Sequence, residues 1–211
     1  MKRCSGQLGR VVAAAVLVTL PALGAVLAQS QVSAIAGATF STLRGVDGLD
    51  RRTGLIGGLS IVLPSSGITA FQPEVLLVSK GAKGTNSGPD GLKLNYVEVP
   101  LLFRLSLDTG AGMVPFVYAG PYLGFQIDCK VQGVDADCAD APGVSTRTVD
   151  IGGAFGGGLG FDLGGALLTT GVRYSFGVSK IADFDVGNVR ESAKNGSFAL
   201  YAGLGFRIGE R

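Results

Sequence analysis

Residues 97–107 read VEVPLLFRLSL, and large apolar residues occupy every second position of this stretch. Those odd positions are Val97, Val99, Leu101, Phe103, Leu105 and Leu107. The even positions between them carry Glu98, Pro100, Leu102, Arg104 and Ser106. Successive side chains of a β-strand point to opposite faces, so this alternation predicts a strand with one apolar face and one face that carries charge.

The same alternation recurs in three later segments, at residues 148–163, 166–181 and 197–208. In each, one face is large and apolar, and the other holds glycine, small polar residues and an occasional charge. A soluble barrel packs its large apolar groups inside and its charges outside. Charges that share a face with glycine instead predict an exterior in lipid and a narrow interior filled by side chains.

The chain contains eight such segments, and the connectors between them alternate in length. We predict strands at 32–43, 53–63, 69–80, 92–107, 114–128, 148–163, 166–181 and 197–208. The first, third, fifth and seventh connectors, which include 131–147 and 182–196, are long and polar, and the others are short. Outer-membrane barrels have short periplasmic turns and longer outer loops. We therefore predict an all-β fold, an eight-stranded antiparallel up-and-down transmembrane barrel with both termini in the periplasm.

A soluble eight-stranded barrel of the lipocalin type, or a β-sandwich, is the alternative fold. The distribution of charge disfavours both, because Lys, Arg, Asp and Glu concentrate in the long connectors and leave the apolar faces bare.

The first 28 residues have the composition of a secretory signal peptide. Lys2, Arg3 and Arg10 precede an uncharged apolar run, and Val26-Leu27-Ala28 ends in small residues that a signal peptidase accepts. We predict cleavage after Ala28, which leaves residues 29–211 as one barrel domain. A transmembrane anchor is the alternative for this segment, since 18 residues can just span a membrane.

Composition excludes several classes of protein. The chain has no histidine, which excludes Ser-His-Asp catalysis, Cys-His catalysis and His-ligated metal sites. Without the signal peptide, 15 basic residues face 16 acidic ones, so no basic excess indicates nucleic acid. The 35 glycines disfavour long helices. We expect no cofactor and no bound metal.

Four charged residues fall on the inward positions of their strands: Glu74, Glu98, Arg104 and Arg173. Paired carboxylates could indicate the acid and base of a glycosidase. A buried charge without a partner costs several kcal/mol, so a structural network of ion pairs that fills the barrel is the favoured interpretation. The sequence does not show which acid meets which arginine.

Cys129 and Cys138 flank a short stretch at the outer end of the fifth strand. An exported protein meets oxidising conditions, so we predict a disulfide between them. A redox switch or a metal clip is the alternative, although two thiols without a nearby histidine are poor zinc ligands.

Three central segments follow one another in a specific order: FQPEVLLVSKGAKG, KLNYVEVPLLFRLSL and PFVYAGPYLGFQI, at residues 71–84, 93–107 and 115–127. This order resembles the PorT-like outer-membrane β-barrel domain family, and the resemblance extends over essentially the whole mature chain. The matching positions are Glu74, Lys80, Gly81, Leu94, Tyr96, Glu98, Pro100, Leu101, Leu102, Tyr118, Gly120, Pro121 and Tyr122. The resemblance implies an eight-stranded barrel in the outer membrane, in a family whose members mostly lack an assigned function and of which a few are linked to protein export.

From these observations we expect a non-enzymatic, monomeric integral protein of a Gram-negative-type outer membrane, surrounded by membrane lipid. Its role is structural or lies in surface interaction, with an extracellular or envelope protein as partner of the outer loops. The alternatives are a narrow pore, a ligand-binding barrel, a component of protein export, or an enzyme embedded in the membrane.

Overall fold

The computed structural model describes residues 30–45, 49–65, 67–84, 91–110, 112–131, 136–137, 144–146, 148–179, 182–186 and 189–208. The predicted signal peptide lies outside these residues. Among the described residues, no helix combines the length and the apolar character needed to cross a membrane.

The described chain is built from eleven antiparallel β-strands. Their bounds are β1 Ser30–Arg44, β2 Leu49–Pro64, β3 Thr69–Gly84, β4 Leu92–Ser106, β5 Met113–Val131, β6 Ala136–Asp137, β7 Val144–Thr146, β8 Val149–Asp162, β9 Leu167–Gly177, β10 Ala182–Val186 and β11 Val189–Ile208.

Eight of these strands close into a barrel. β1 to β5, β8, β9 and β11 pair in chain order, and β11 pairs back onto β1 from Ser30↔Ile208 to Arg44↔Lys194. Closure leaves no unpaired edge, which is the condition for a sheet to cross a membrane. The predicted eight-stranded antiparallel barrel is confirmed.

The two ends of the barrel differ. The terminal end carries Ser30, Ile208 and the short turns after β2, β4 and β8. Gly164 has a φ of 76° in the turn after β8, a conformation that favours glycine. The opposite end, called the loop end below, carries the other connectors. The first of these was predicted to be long, but it comprises only residues 45–48, because β1 and β2 extend to Arg44 and Leu49.

A belt of large apolar side chains surrounds the barrel. On β4, Leu101, Phe103 and Leu105 are exposed, whereas Leu102 and Arg104 between them are buried. The apolar outward residues of β4 extend from position 97 to 105, and nine residues at about 3.3 Å each and a tilt of about 40° span roughly 23 Å. This height matches the apolar band of about 25 Å in outer-membrane barrels.

The barrel continues beyond this belt at the loop end. β5 has 19 residues and β11 has 20, about twice the length needed to cross a membrane. β10 pairs with the first part of β11, and β7 pairs with β10. The prediction of a loop over 182–196 is therefore wrong, because Ala182–Val186 and the first part of β11 form a hairpin. Apolar and acidic residues alternate over Ala182–Val186, a short strand pattern that the prediction assigned to the connector. Likewise, β6 and β7 lie within the loop predicted at 131–147.

Two irregularities interrupt the ladders near the loop end. The register between β2 and β3 shifts between Arg51 and Ile56, and the register between β4 and β5 shifts next to Asn95 and Tyr96. The second shift places one extra residue, Ile127, on β5. Beyond it the inward positions change from even to odd, so Cys129 joins an interior apolar cluster.

Candidate functional site: the charged interior of the barrel

Six charged side chains are buried among the described residues, and all of them lie inside the barrel. They are Glu74, Lys80, Glu98, Arg104, Asp150 and Arg173, none more than 6% exposed. Three are cationic and three are anionic, so the interior is neutral overall. They form two clusters at different heights.

The terminal-side cluster consists of Gln72, Glu74, Arg104 and Arg173. Arg173 Nη2 lies 2.6 Å from Glu74 Oε2, an ion pair that crosses the interior from β9 to β3. Gln72 joins the second arginine to this pair: its amide nitrogen donates to Glu74 Oε1 at 2.7 Å, and its oxygen accepts from Arg104 Nη1 at 3.1 Å. The cluster thus shares one carboxylate between two guanidinium groups.

Aromatic rings complete the terminal-side cluster. The guanidinium carbon of Arg104 lies 3.8 Å from the centre of the Phe116 ring. Arg173 donates from Nε to the Tyr118 hydroxyl at 3.2 Å and lies 5.7 Å from the centre of the Tyr201 ring. Cations over aromatic faces are stabilised where water is absent, so these rings help to accommodate the cluster's excess of one positive charge.

The loop-side cluster has the opposite excess. Lys80 forms an ion pair with Glu98 and lies 3.7 Å from Asp150 Oδ2, so one cation is shared by two carboxylates. The Asp150 carboxylate also accepts hydrogen bonds from the Tyr122 hydroxyl at 3.0 Å and from the Asn195 amide at 2.7 Å. These donors compensate for the second negative charge.

Glycines in β8 make room for the aromatic rings. A Cβ atom at Gly152 would lie 2.6 Å from the Tyr122 ring, and one at Gly156 would lie 2.7 Å from the Tyr118 hydroxyl. A Cβ atom at Gly158 would lie 2.8 Å from the Phe116 ring. At all three positions a carbonyl oxygen of β9 would be closer still, at 2.1–2.2 Å. The glycines of residues 152–160 therefore allow close approach both of the β9 backbone and of the large rings of β5.

The structure places all four predicted interior residues inside the barrel, but it separates them. Glu74 and Arg173 form a pair, and Arg104 reaches Glu74 through Gln72. Glu98 lies in the other cluster and pairs with Lys80 rather than with an arginine.

Sequence reasoning missed Lys80, Asp150 and Asn195 as members of the network. Lys80 has the same parity as Glu74 in β3, and Asp150 has the same parity as the β8 glycines, so strand parity alone could have identified these two. Asn195 falls in the segment predicted as a loop, where no parity was assigned.

The motif residues of the PorT-like resemblance divide between the two clusters: Glu74 and Tyr118 contact Arg173 in the terminal-side cluster, and others lie in the loop-side cluster. Lys80, Glu98 and Tyr122 come from three different motif segments, and Lys80 Nζ lies 4.5 Å from the centre of the Tyr122 ring. Tyr96, also a motif residue, lies on the other side, with its ring centre 5.7 Å from Lys80 Nζ. The loop-side members of the motif therefore pack around one lysine.

Cys129 lies in β5, whereas Cys138 lies outside the described residues. The disulfide between them remains a prediction.

Comparisons with known proteins agree with this architecture. A family model described as "Outer membrane protein beta-barrel domain" matches residues 26–183. No curated protein matches the sequence.

Among solved structures, the chain is similar to OprG, an outer membrane protein of Pseudomonas aeruginosa, at 16% identity and a TM-score of 0.55, over 87% of this chain and 98% of that one. It is also similar to Neisserial surface protein A, at 17% identity and a TM-score of 0.54, over 85% and 97%. At these identities the likeness shows the fold alone. The family match covers most of the chain, and with the closed barrel and its apolar belt it leads to one conclusion: the chain belongs to the outer membrane protein β-barrel domain family.

Proposed function

We propose that this outer-membrane protein is a non-enzymatic, monomeric barrel with a structural or surface-interaction role. In this proposal the barrel is a closed anchor, the loop end faces the outside of the cell, and both termini lie in the periplasm. The partner is an extracellular or envelope protein that contacts the outer loops.

One observation supports the proposal above all: the charged side chains of the interior are buried and lie in clusters that contain both signs of charge. A water-filled channel keeps its charges solvated, whereas the six interior charges are almost fully buried and form two clusters. Burial of these charges therefore supports a closed interior.

The absence of an enzymatic role is supported by what the interior carboxylates contact. Glu74 binds Arg173, and Glu98 binds Lys80 in a separate cluster. The two acids that a glycosidase mechanism would pair are thus committed to different cations. The chain also has no histidine to act as a general base.

Planar-bilayer recordings of the refolded mature protein test the closed interior. We expect no steady openings, because both clusters block the axis. A gel shift between unboiled and boiled samples must first show that the protein is folded. Steady openings of uniform size would contradict the proposal and favour a narrow pore.

The orientation has its own test. An epitope inserted within residues 85–90, between β3 and β4, should bind antibody on intact cells, and an epitope after Arg211 should bind only after the cells are permeabilised. The reverse labelling would overturn the proposed orientation.

We also propose that the chain belongs to the PorT-like branch of these barrels. The support is that Lys80, Tyr96, Glu98 and Tyr122, drawn from its motif, pack together. A Lys80→Met variant that folds and remains as stable as the wild type would remove this support.

A further inference from the structure

The apolar belt ends at the same height on four neighbouring strands. Going toward the loop end, the outward residues change from apolar to polar at Thr53 in β2, Ser79 in β3, Asn95 in β4 and Asp128 in β5. Because the belt matches the hydrocarbon layer in height, this line marks the level where lipid tails give way to lipid headgroups.

A groove in the outer wall crosses this line. Its volume is about 430 Å³, and its lining includes Leu55, Leu77 and Ile127, which are all more than half exposed. These three residues belong to the apolar belt. The same groove is lined by two cations, Arg52 and Lys93, which lie on the loop-end side of Thr53 and Asn95 in their strands, and its inner part reaches the buried residues Val78 and Tyr96.

Both ladder irregularities border the groove. The shift between β2 and β3 leaves the Ser79 carbonyl to accept a hydrogen bond from the Thr39 hydroxyl at 2.7 Å, across β2. The extra residue of β5 is Ile127, itself part of the lining. Bulges of this kind redirect side chains and alter the local shape of a sheet.

The polar groups of the groove favour an anion. Within the described residues, the Arg52 Nε atom is buried and makes no hydrogen bond. No acid is among the described residues that line the groove, and Asp128, which pairs with the lining residue Asn95, accepts a hydrogen bond from the Asn95 amide at 2.8 Å. Arg52 and Lys93 therefore lie at the level of lipid headgroups, next to the apolar part of the groove.

We propose that this groove binds a membrane lipid whose headgroup carries a phosphate. The acyl chains lie along Leu55, Leu77 and Ile127, and the phosphate lies between Arg52 and Lys93. The inference rests on the barrel spanning the membrane and is independent of whether its interior is closed.

Lipid retention tests the site. The refolded mature protein is placed in phosphatidylcholine vesicles that contain a small fraction of phosphatidic acid or of diacylglycerol with the same chains. It is then extracted in mild nonionic detergent, and the retained lipid is counted by mass spectrometry. We expect retention of phosphatidic acid and little retention of diacylglycerol, which lacks the phosphate.

Substitutions locate the contact. Arg52→Gln and Lys93→Gln should each reduce the affinity for phosphatidic acid about fivefold, and the double variant about 25-fold. Lys194→Gln removes a cation of β11 that does not line the groove and should leave retention unchanged.

Two results would overturn the proposal: equal retention of both lipids, or retention by the double variant that equals the wild type. If the double variant does not show the gel shift of a folded barrel, the test is made instead on the wild-type protein, by measuring lipid retention at increasing salt concentration. Retention of phosphatidic acid must then fall as ionic strength rises, and retention that is insensitive to salt would refute a phosphate contact.

Discussion

Substitution of Glu74 by methionine tests the energetic account of the interior. Glu74 and Arg173 are 3% and 2% exposed, and their charged atoms lie 2.6 Å apart. At present the terminal-side cluster carries one excess positive charge, from two arginines and one glutamate. The substitution removes the only carboxylate among these residues and leaves two arginines uncompensated. Loss of one partner from a buried ion pair costs about 3–5 kcal/mol, so we expect a decrease of that size in the free energy of unfolding.

A double variant separates the charge effect from loss of packing. Glu74→Met with Arg173→Met returns the cluster to one positive charge, that of Arg104. Replacement of a whole buried pair by apolar residues of similar volume is often close to neutral. We therefore expect the double variant to lose less stability than Glu74→Met alone, although it also loses the Tyr118 contact of Arg173.

A surface ion pair provides the matched control. Arg207 Nη1 lies 2.8 Å from Asp162 Oδ2, and the two side chains are 40% and 33% exposed. Asp162→Asn should cost much less than Glu74→Met, because water screens this pair and asparagine keeps a side-chain oxygen that can accept from the Gly164 N–H.

The assay is equilibrium unfolding of the refolded barrel in urea, followed by the strand signal in far-UV circular dichroism, since the chain has no tryptophan. The reasoning is refuted if Glu74→Met costs less than about 1 kcal/mol, or if the double variant is as unstable as the single one.

Three further predictions use the same unfolding assay or simple chemistry. Gly156→Ala should cost about 1–3 kcal/mol, because the added Cβ would lie 2.2 Å from the Val172 carbonyl oxygen and 2.7 Å from the Tyr118 hydroxyl, whereas Gly160→Ala, where the nearest atom is 3.6 Å away, should cost almost nothing; equal effects would count against this close packing of β8. Lys80→Met should cost about 3–5 kcal/mol, because two buried carboxylates lose their shared cation; a stability like that of the wild type would show that these acids do not need it. Thiol titration of the denatured, unreduced mature protein should find no reactive sulfhydryl if Cys129 and Cys138 are bonded; two reactive groups would exclude the disulfide.

The strands of the barrel wall were predictable because contact with lipid imposes a simple pattern on the sequence. Every second residue of a spanning strand must be apolar, and VEVPLLFRLSL satisfies this over eleven residues. Above the belt that pattern is no longer imposed. The hairpin of β10 and β11 alternates apolar and acidic residues only over Ala182–Val186, about half the length of a spanning strand, so the pattern did not distinguish it from a polar connector.

The sequence predicted which charged residues face the interior, but it did not predict which partner each of them contacts. Strand parity placed Glu74 and Glu98 inside, where both are buried. Which cation each one meets depends on the stagger of strands around the barrel and on distances across its axis. Glu98 meets Lys80 of the neighbouring strand, and Glu74 meets Arg173 of a distant one. Neither relation can be read from spacing along the chain.

The orientation of side chains toward lipid is the claim on which the whole account depends, and single-tryptophan variants measure it directly. Phe103 is 72% exposed in the belt, and Phe116 is 4% exposed beneath Arg104. Each is replaced by tryptophan in turn, and the protein is refolded into vesicles whose acyl chains carry bromine, which quenches fluorescence on contact. We predict strong quenching of Phe103→Trp and weak quenching of Phe116→Trp; strong quenching of the second with none of the first would show that the barrel faces lipid with the opposite side of its strands.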